Sequence, residues 1–123
     1  MKGNTNTTDL RVADIENEIN TIQNLTSSIT VVSPTPTDMS GTTLYKCGNI
    51  YILNVFLKYS VDIGSANDLL RLPFTMPGRS YLGTITDLNG GTPKIVKVYS
   101  DGLFKIISAV PANHYVEGQI VIC

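Results

Sequence analysis

Between residues 49 and 61 the chain alternates with a period of two. Tyr51, Leu53, Val55, Leu57 and Tyr59 fall on one face of an extended strand, and Ile50, Ile52, Asn54, Phe56 and Lys58 on the other. Both faces carry apolar side chains. That predicts a strand covered on both sides, by the domain's own core on one and by a neighbouring subunit on the other. Shorter extended runs lie at residues 42–47, 81–88, 94–99, 103–108 and 115–123. Asn89-Gly90-Gly91 separates two of these runs and suits a hairpin turn. Ser100-Asp101-Gly102 separates two more, and an Asp-Gly between apolar runs is the strongest hairpin signal in the chain. Pro111-Ala112-Asn113-His114 reads as a further turn, and a short turn is expected around Leu69 and Leu70. Six to eight short strands predict an all-β head, antiparallel and sandwich- or jelly-roll-like.

Upstream the period changes. Val12, Ile15, Ile19, Ile22 and Ile29 recur at alternating steps of three and four, with Thr26 filling the one gap. This is a heptad pattern with β-branched residues at both a and d, which favours three strands over two in a parallel coiled coil. The expectation is a short N-terminal α-helical trimeric coiled coil that makes the chain a homotrimer. Thr26-Ser27-Ser28 are poor helix formers, so the helix should fray at its end. About three heptads are marginal alone. The doubly apolar strand from Ile50 to Tyr59 is therefore the better candidate for the main interface. Ser33-Pro34-Thr35-Pro36-Thr37 cannot continue a helix. The expected organisation is a tail and stalk over residues 1–32, a Pro/Thr/Ser-rich linker over 33–41 and the β head over 42–123.

Composition narrows the picture. Residues 9–29 carry Asp9, Asp14, Glu16 and Glu18 against Arg11, and residues 30–123 hold seven basic and six acidic side chains. An acidic stalk and a near-neutral head argue against nucleic acid as a partner. No apolar run reaches the roughly 18 residues of a membrane helix, so no membrane insertion is expected. The first eight residues are polar and lack the apolar stretch of a signal peptide. Without such a leader, Cys47 and Cys123 are expected to be reduced and buried as small hydrophobes.

Motifs of known chemistry are absent: no G-x-S-x-G, no P-loop, no G-x-G-x-x-G and no H-E-x-x-H. The single histidine, His114, excludes a histidine metal cluster within one chain. A threefold His114 site or a pairing of His114 with Cys47 or Cys123 is weighed only as a minor alternative. The acids of the head sit mostly in expected turns, where aspartate is at home for backbone reasons. No catalytic residue, no metal and no cofactor is therefore expected. A shallow carbohydrate site needs less: an aromatic face for sugar C–H groups and polar side chains for hydroxyls. Arg79, Tyr81, Tyr99, Asp101, Asn113, His114 and Tyr115 are the candidates.

Three stretches carry a resemblance. Gly48-Asn49-Ile50-Tyr51-Ile52-Leu53-Asn54-Val55 resembles the first long strand of phage tail-fibre and baseplate head modules. Leu72-Pro73 with Pro77-Gly78-Arg79-Ser80 is similar to a segment those modules carry after a variable loop, and Glu117-Gly118-Gln119-Ile120-Val121-Ile122 resembles their closing strand. The likeness spans roughly residues 45–123 and departs from the pattern in lacking tryptophan and ending in Cys123. It implies a homotrimeric receptor-binding knob of the virion, made in the host cytoplasm. Such a knob is held by other tail or baseplate proteins and attaches to a host cell-wall or surface saccharide. A purely structural trimerisation module, and a complement- or tumour-necrosis-factor-like secreted head, are the competing expectations.

Overall fold

The computed structural model describes residues 22–123. They form nine antiparallel strands and almost no helix: β1 (Ile22–Asn24), β2 (Thr30–Val31), β3 (Thr43–Cys47), β4 (Ile50–Lys58), β5 (Leu70–Arg71), β6 (Tyr81–Asp87), β7 (Thr92–Val98), β8 (Leu103–Ile106) and β9 (Tyr115–Ile122). All nine hydrogen-bond into a single sheet in the order β1-β3-β4-β9-β6-β7-β8-β5-β2, curled into a half-barrel. One curled sheet thus stands where two separate layers were expected.

Connectivity forces the curl. β1 and β2 lie at opposite edges of the sheet, yet only residues 25–29 join them. A flat sheet of this order would hold its edges about 38 Å apart at about 4.8 Å per neighbour. Six peptide steps reach about 21 Å at most. Part of the connection is also shortened into a 3-10 turn at Thr26–Ser28. β6 and β9 pair only at Thr86 with Glu117 and Asp87 with Val116. Beyond that pairing β6 turns across β9. A Cβ on Gly118 would lie 2.6 Å from Ile85 Cγ2 and 2.9 Å from Ile85 Cα, so only glycine lets the strands approach this closely.

The inner face of the curl is the core. Leu53, Val55 and Leu57 of β4 meet Val116, Ile120 and Ile122 of β9, Ile85 of β6, Val96 and Val98 of β7, and Phe104 and Ile106 of β8; all are buried. Each such side chain contributes about 1.5–3 kcal/mol by leaving water. One open end is plugged by the segment after β5, where Leu72, Phe74 and Met76 turn inward while Pro73, Thr75 and Pro77 stay exposed. Phe74 stacks on Tyr51 with ring centroids 3.9 Å apart. Gly102 sits at φ 90 against the carbonyls of Leu72 and Phe74, and donates no side chain to that crowded contact.

Several expectations change. Val12, Ile15 and Ile19 lie outside the described residues. The heptad helix does not extend to its last two core positions. Ile22 pairs with Cys47 in a ladder, and Ile29 follows the 3-10 turn and packs on the core. The physical reason is that an edge of β3 offers ladder hydrogen bonds to a β-branched residue. Thr26, Ser27 and Ser28 offer a helix little in exchange. The sheet therefore begins at residue 22 rather than 42. Leu70 and Arg71 form a short strand between β8 and β2 instead of a turn. Cys47 and Cys123 are free and exposed, not buried, because they terminate β3 and follow β9 at the rim of the sheet.

Register assigns the two ends of the half-barrel. Ile22 faces Cys47, Cys47 faces Ile50, and Tyr51 faces Ile122. Residues 1–21 therefore join at the rim formed by the Gly48-Asn49 turn and Cys123, here the near rim. The far rim is where Lys58 faces Tyr115 and bridges Asp38.

Candidate functional site

The seven residues singled out as carbohydrate contacts fall into two groups. Arg79, Tyr81, Tyr99 and Asp101 gather where β6 starts and β7 turns into β8, since Tyr81 faces Val98. That turn is tied to the core plug by the Met76 N–H, which donates to the Ser100 carbonyl at 2.7 Å. Tyr81 packs partly on the core and Arg79 is exposed. Tyr99 lies beneath Lys97 and Lys105, whose Nζ atoms stand 4.7 and 5.7 Å from its ring centre. Asp101 accepts the Leu103 N–H at 3.2 Å and pairs with Arg71 at 3.3 Å. The Leu103 N–H and the Arg71 guanidinium hold its carboxyl below the ordinary range.

Asn113, His114 and Tyr115 lie at the other end of β6, about 20 Å away at roughly 3.3 Å per residue. There they meet residues the sequence did not single out. The outer face of β4 and β9 reads, in register from the far rim, Lys58 with Tyr115, Phe56 with Glu117, and Asn54 with Gln119. Phe56 and Tyr115 stack with centroids 4.9 Å apart. Lys58 Nζ lies 5.0 Å from the Tyr115 ring centre. The Tyr115 hydroxyl donates to Asp38 Oδ2 at 2.8 Å, which fixes the ring's tilt. Asp38 Oδ1 accepts from the Ser40 N–H at 3.0 Å and from its hydroxyl at 2.9 Å. The Ser40 N–H and then the Tyr115 hydroxyl hold the Asp38 carboxyl below its usual value, so it stays ionised, and donation to it pushes the Tyr115 phenol up.

Beside the aromatic pair runs a chain of amides. Gln119 Nε2 donates to Asn54 Oδ1 at 3.0 Å, and Asn54 Nδ2 donates to Thr43 Oγ1 at 3.0 Å. Asn54 and Gln119 border an open groove of about 810 Å³, together with Phe56, Glu117, Gly41 and Leu88. Gly41 matters sterically: a Cβ there would stand 3.0 Å from Phe56 Cβ and press on the ring. The result is a shallow aromatic platform with amide, carboxylate and ammonium groups at its margin.

His114 does separate work. Its Nδ1 lies 2.9 Å from Asp87 Oδ2, and Asp87 is 3% exposed. Asp87 Oδ1 also accepts the Asn89 N–H at 2.9 Å. Burial pushes the Asp87 carboxyl up, but the His114 and Asn89 hydrogen bonds with the charges of His114 and Lys94 outweigh it and leave it below the ordinary value. The pair clamps the β6–β7 turn to the turn before β9. A Cys-His pair is excluded by distance: nine steps of extended chain put His114 about 30 Å from Cys123. Cys47 lies two strands from Cys123 at the same rim. Among the described residues no group of three or more His, Cys, Asp or Glu side chains is placed to hold a metal ion. Comparison with protein-family models, with curated proteins and with solved structures found no match.

A sequence signal for Asn54 and Lys58 existed: they interrupt the apolar second face of the longest strand on either side of Phe56. Asp38 and the Asn54–Gln119 contact had none, because their partners lie 77 and 65 residues away.

Proposed function

We propose that this chain is a non-enzymatic, homotrimeric head of a phage tail or baseplate that attaches to a host cell-surface saccharide through its far rim. The observation that carries the reading is the position of the Phe56–Tyr115 platform. It lies on the outer face at the end opposite the rim where residues 1–21 join. A head carried on a stalk meets its receptor at the end away from the stalk. The stalk would be the heptad positions Val12, Ile15 and Ile19, held by other tail or baseplate proteins.

The platform suits a sugar ring. Stacked aromatics accept its C–H face, while Asn54, Gln119, Glu117 and Lys58 stand where equatorial hydroxyls would reach. Binding rather than cleavage fits the acids present. Asp38 is kept ionised and engaged by Tyr115 and Ser40, which is the wrong state for a general acid.

Retention of the purified head on isolated host cell-wall polysaccharide tests this. Tyr115→Ala should weaken retention by about tenfold or more, in line with loss of a central aromatic anchor, with an unchanged circular dichroism spectrum and no release of reducing sugar. Retention equal to that of the parent head would sink the saccharide assignment. An assembly module without a ligand is the second reading, favoured by the uncharged face at the near rim. It predicts no retention by the parent head either.

A further inference from the structure

The outer face of β1, β3, β4 and β9 changes character along its length. Toward the near rim it presents Ile22, Tyr45, Ile50, Ile52 and Val121 in adjoining register positions, with no charged side chain among them. Ile22 is 52% exposed, Ile50 40% and Val121 39%. The exposed apolar pair on the neighbouring strands is interrupted by charge. Leu82 and Ile95 on β6 and β7 sit diagonally, with Lys97 opposite Leu82. A contiguous uncharged patch of this kind is the signature of a covered surface.

We propose that this near half of the sheet is the surface through which three copies of the chain join, enclosing the thiols of Cys47 and Cys123. The occupant follows from where the rest of the chain attaches. The 21 residues before Ile22 join the sheet at the edge of the patch. Their sequence places the β-branched residues Val12, Ile15 and Ile19 at heptad a and d spacing, the choice that favours three parallel strands. Three strands that are parallel at that rim bring the same face of each copy toward one axis, and an uncharged apolar face is complementary to itself. The patch is smaller than the roughly 20–30 residues per side of a stable interface. It therefore works together with the heptads rather than replacing them. Cys47 and Cys123 flank Ile50 on this same face and are exposed in the single chain, so assembly would hide them.

This inference rests on the trimeric part of the reading above and is independent of the saccharide. The experiment uses the full chain. Sedimentation should give a trimer at micromolar concentration, and a maleimide should label its thiols slowly. The double variant Ile50→Asp, Val121→Asp should sediment as monomer, with labelling faster by about tenfold or more as exposed thiols become available. Ile95→Asp, on the other outer face, should leave both readouts unchanged. If the double variant does not fold, Val121→Ser supplies a milder weakening of the same surface. Three outcomes overturn the proposal. A parent monomer with fast-labelling thiols would mean an open patch, and a parent monomer with slow-labelling thiols would mean a patch covered by the chain's own residues 1–21. A trimer that survives the double variant with slow labelling would place the interface elsewhere. Retention on cell-wall polysaccharide, measured on the same samples, separates failure here from failure of the saccharide assignment.

Discussion

The two halves of one sheet face differ more than the two faces of the same strands do. On β4 the inner side is apolar or aromatic throughout: Tyr51, which is half-buried, then Leu53, Val55 and Leu57, all buried. The outer side begins with Ile50 and Ile52 and continues with Asn54, Phe56 and Lys58. β9 repeats the change in reverse, from Tyr115, Glu117 and Gln119 to Val121. The neighbouring strands keep the partition, with Tyr45 and Ile22 toward the near rim and Thr43 beside Asn54. Alternation says which residues share a face, and nothing more. What a face is for is written along the strand, in how its composition changes between one end and the other.

The largest expected effect removes both halves at once. Gly118 lies on β9 between Glu117 and Gln119 of the platform, with β6 folded over it. Gly118→Val places a side chain into Ile85 and the β6 backbone, neither of which has room to move away from the core. Overpacking of this kind should cost about 3 kcal/mol or more, read as a drop in the denaturation midpoint or loss of soluble protein. A midpoint close to that of the parent would show that β6 and β9 can separate. The halves would then not be tied to one rigid scaffold.

A smaller change sharpens the far half alone. Tyr115→Phe keeps the ring that stacks on Phe56 and lies under Lys58, but drops the hydroxyl that donates to Asp38. The loss in stability should be small, that of one hydrogen bond open to solvent, read as a slight drop in the denaturation midpoint. Saccharide retention should stay within about threefold of the parent, against the loss expected for Tyr115→Ala. If Phe and Ala weaken retention equally, the hydroxyl and not the ring face is the contact, and the platform assignment is wrong. The self-association of both variants should be that of the parent, because neither touches the near half.

The long elements were legible because their signals are local. The expected strands at residues 42–47, 81–88, 94–99, 103–108 and 115–123 match β3 and β6 to β9 within two residues at each end. The Asp-Gly hairpin was legible for the same reason: Asp101 Oδ1 binds the Leu103 N–H two residues on, and Gly102 takes φ 90. β1, β2 and β5 were not legible. Each has two or three residues and owes its existence to a distant partner: Ile22 to Cys47, Val31 to Leu70, Leu70 to Phe104. Ile22 and Ile29 are seven residues apart, a spacing a heptad demands and a strand-turn-strand segment permits equally well. The same distance rule explains the candidate site. Tyr115 was found from its residue type, while Asp38 and Asp87 were passed over as turn residues because their partners Tyr115 and His114 are 77 and 27 residues away.

The smallest effect concerns acid, and it should separate the two halves by order of loosening. Asp38 and Asp87 both sit at the far rim with carboxyl groups held below the ordinary carboxylate value. A carboxyl depressed in the folded state favours folding fully above its unfolded pKa, and that contribution fades as pH falls through the folded value. The far rim therefore keeps its full stability above about pH 4 and loses it progressively below. Near Ile22, Ile50 and Val121 the outer face carries no acidic side chain in the paired register positions. Hydrogen exchange on acidification should thus show residues 37–40, 88–91 and 111–114 losing protection before the β3–β4 hairpin. The β7–β8 turn, where Asp101 is likewise depressed, should loosen with them. Asp87→Asn removes one titrating group and should flatten the pH dependence at 88–91 and 111–114 while leaving residues 37–40, which answer to Asp38, unchanged. Simultaneous loosening of the β3–β4 hairpin would mean that the two halves share one acid-sensitive unit. The division of this face would then be one of composition without a matching division in stability.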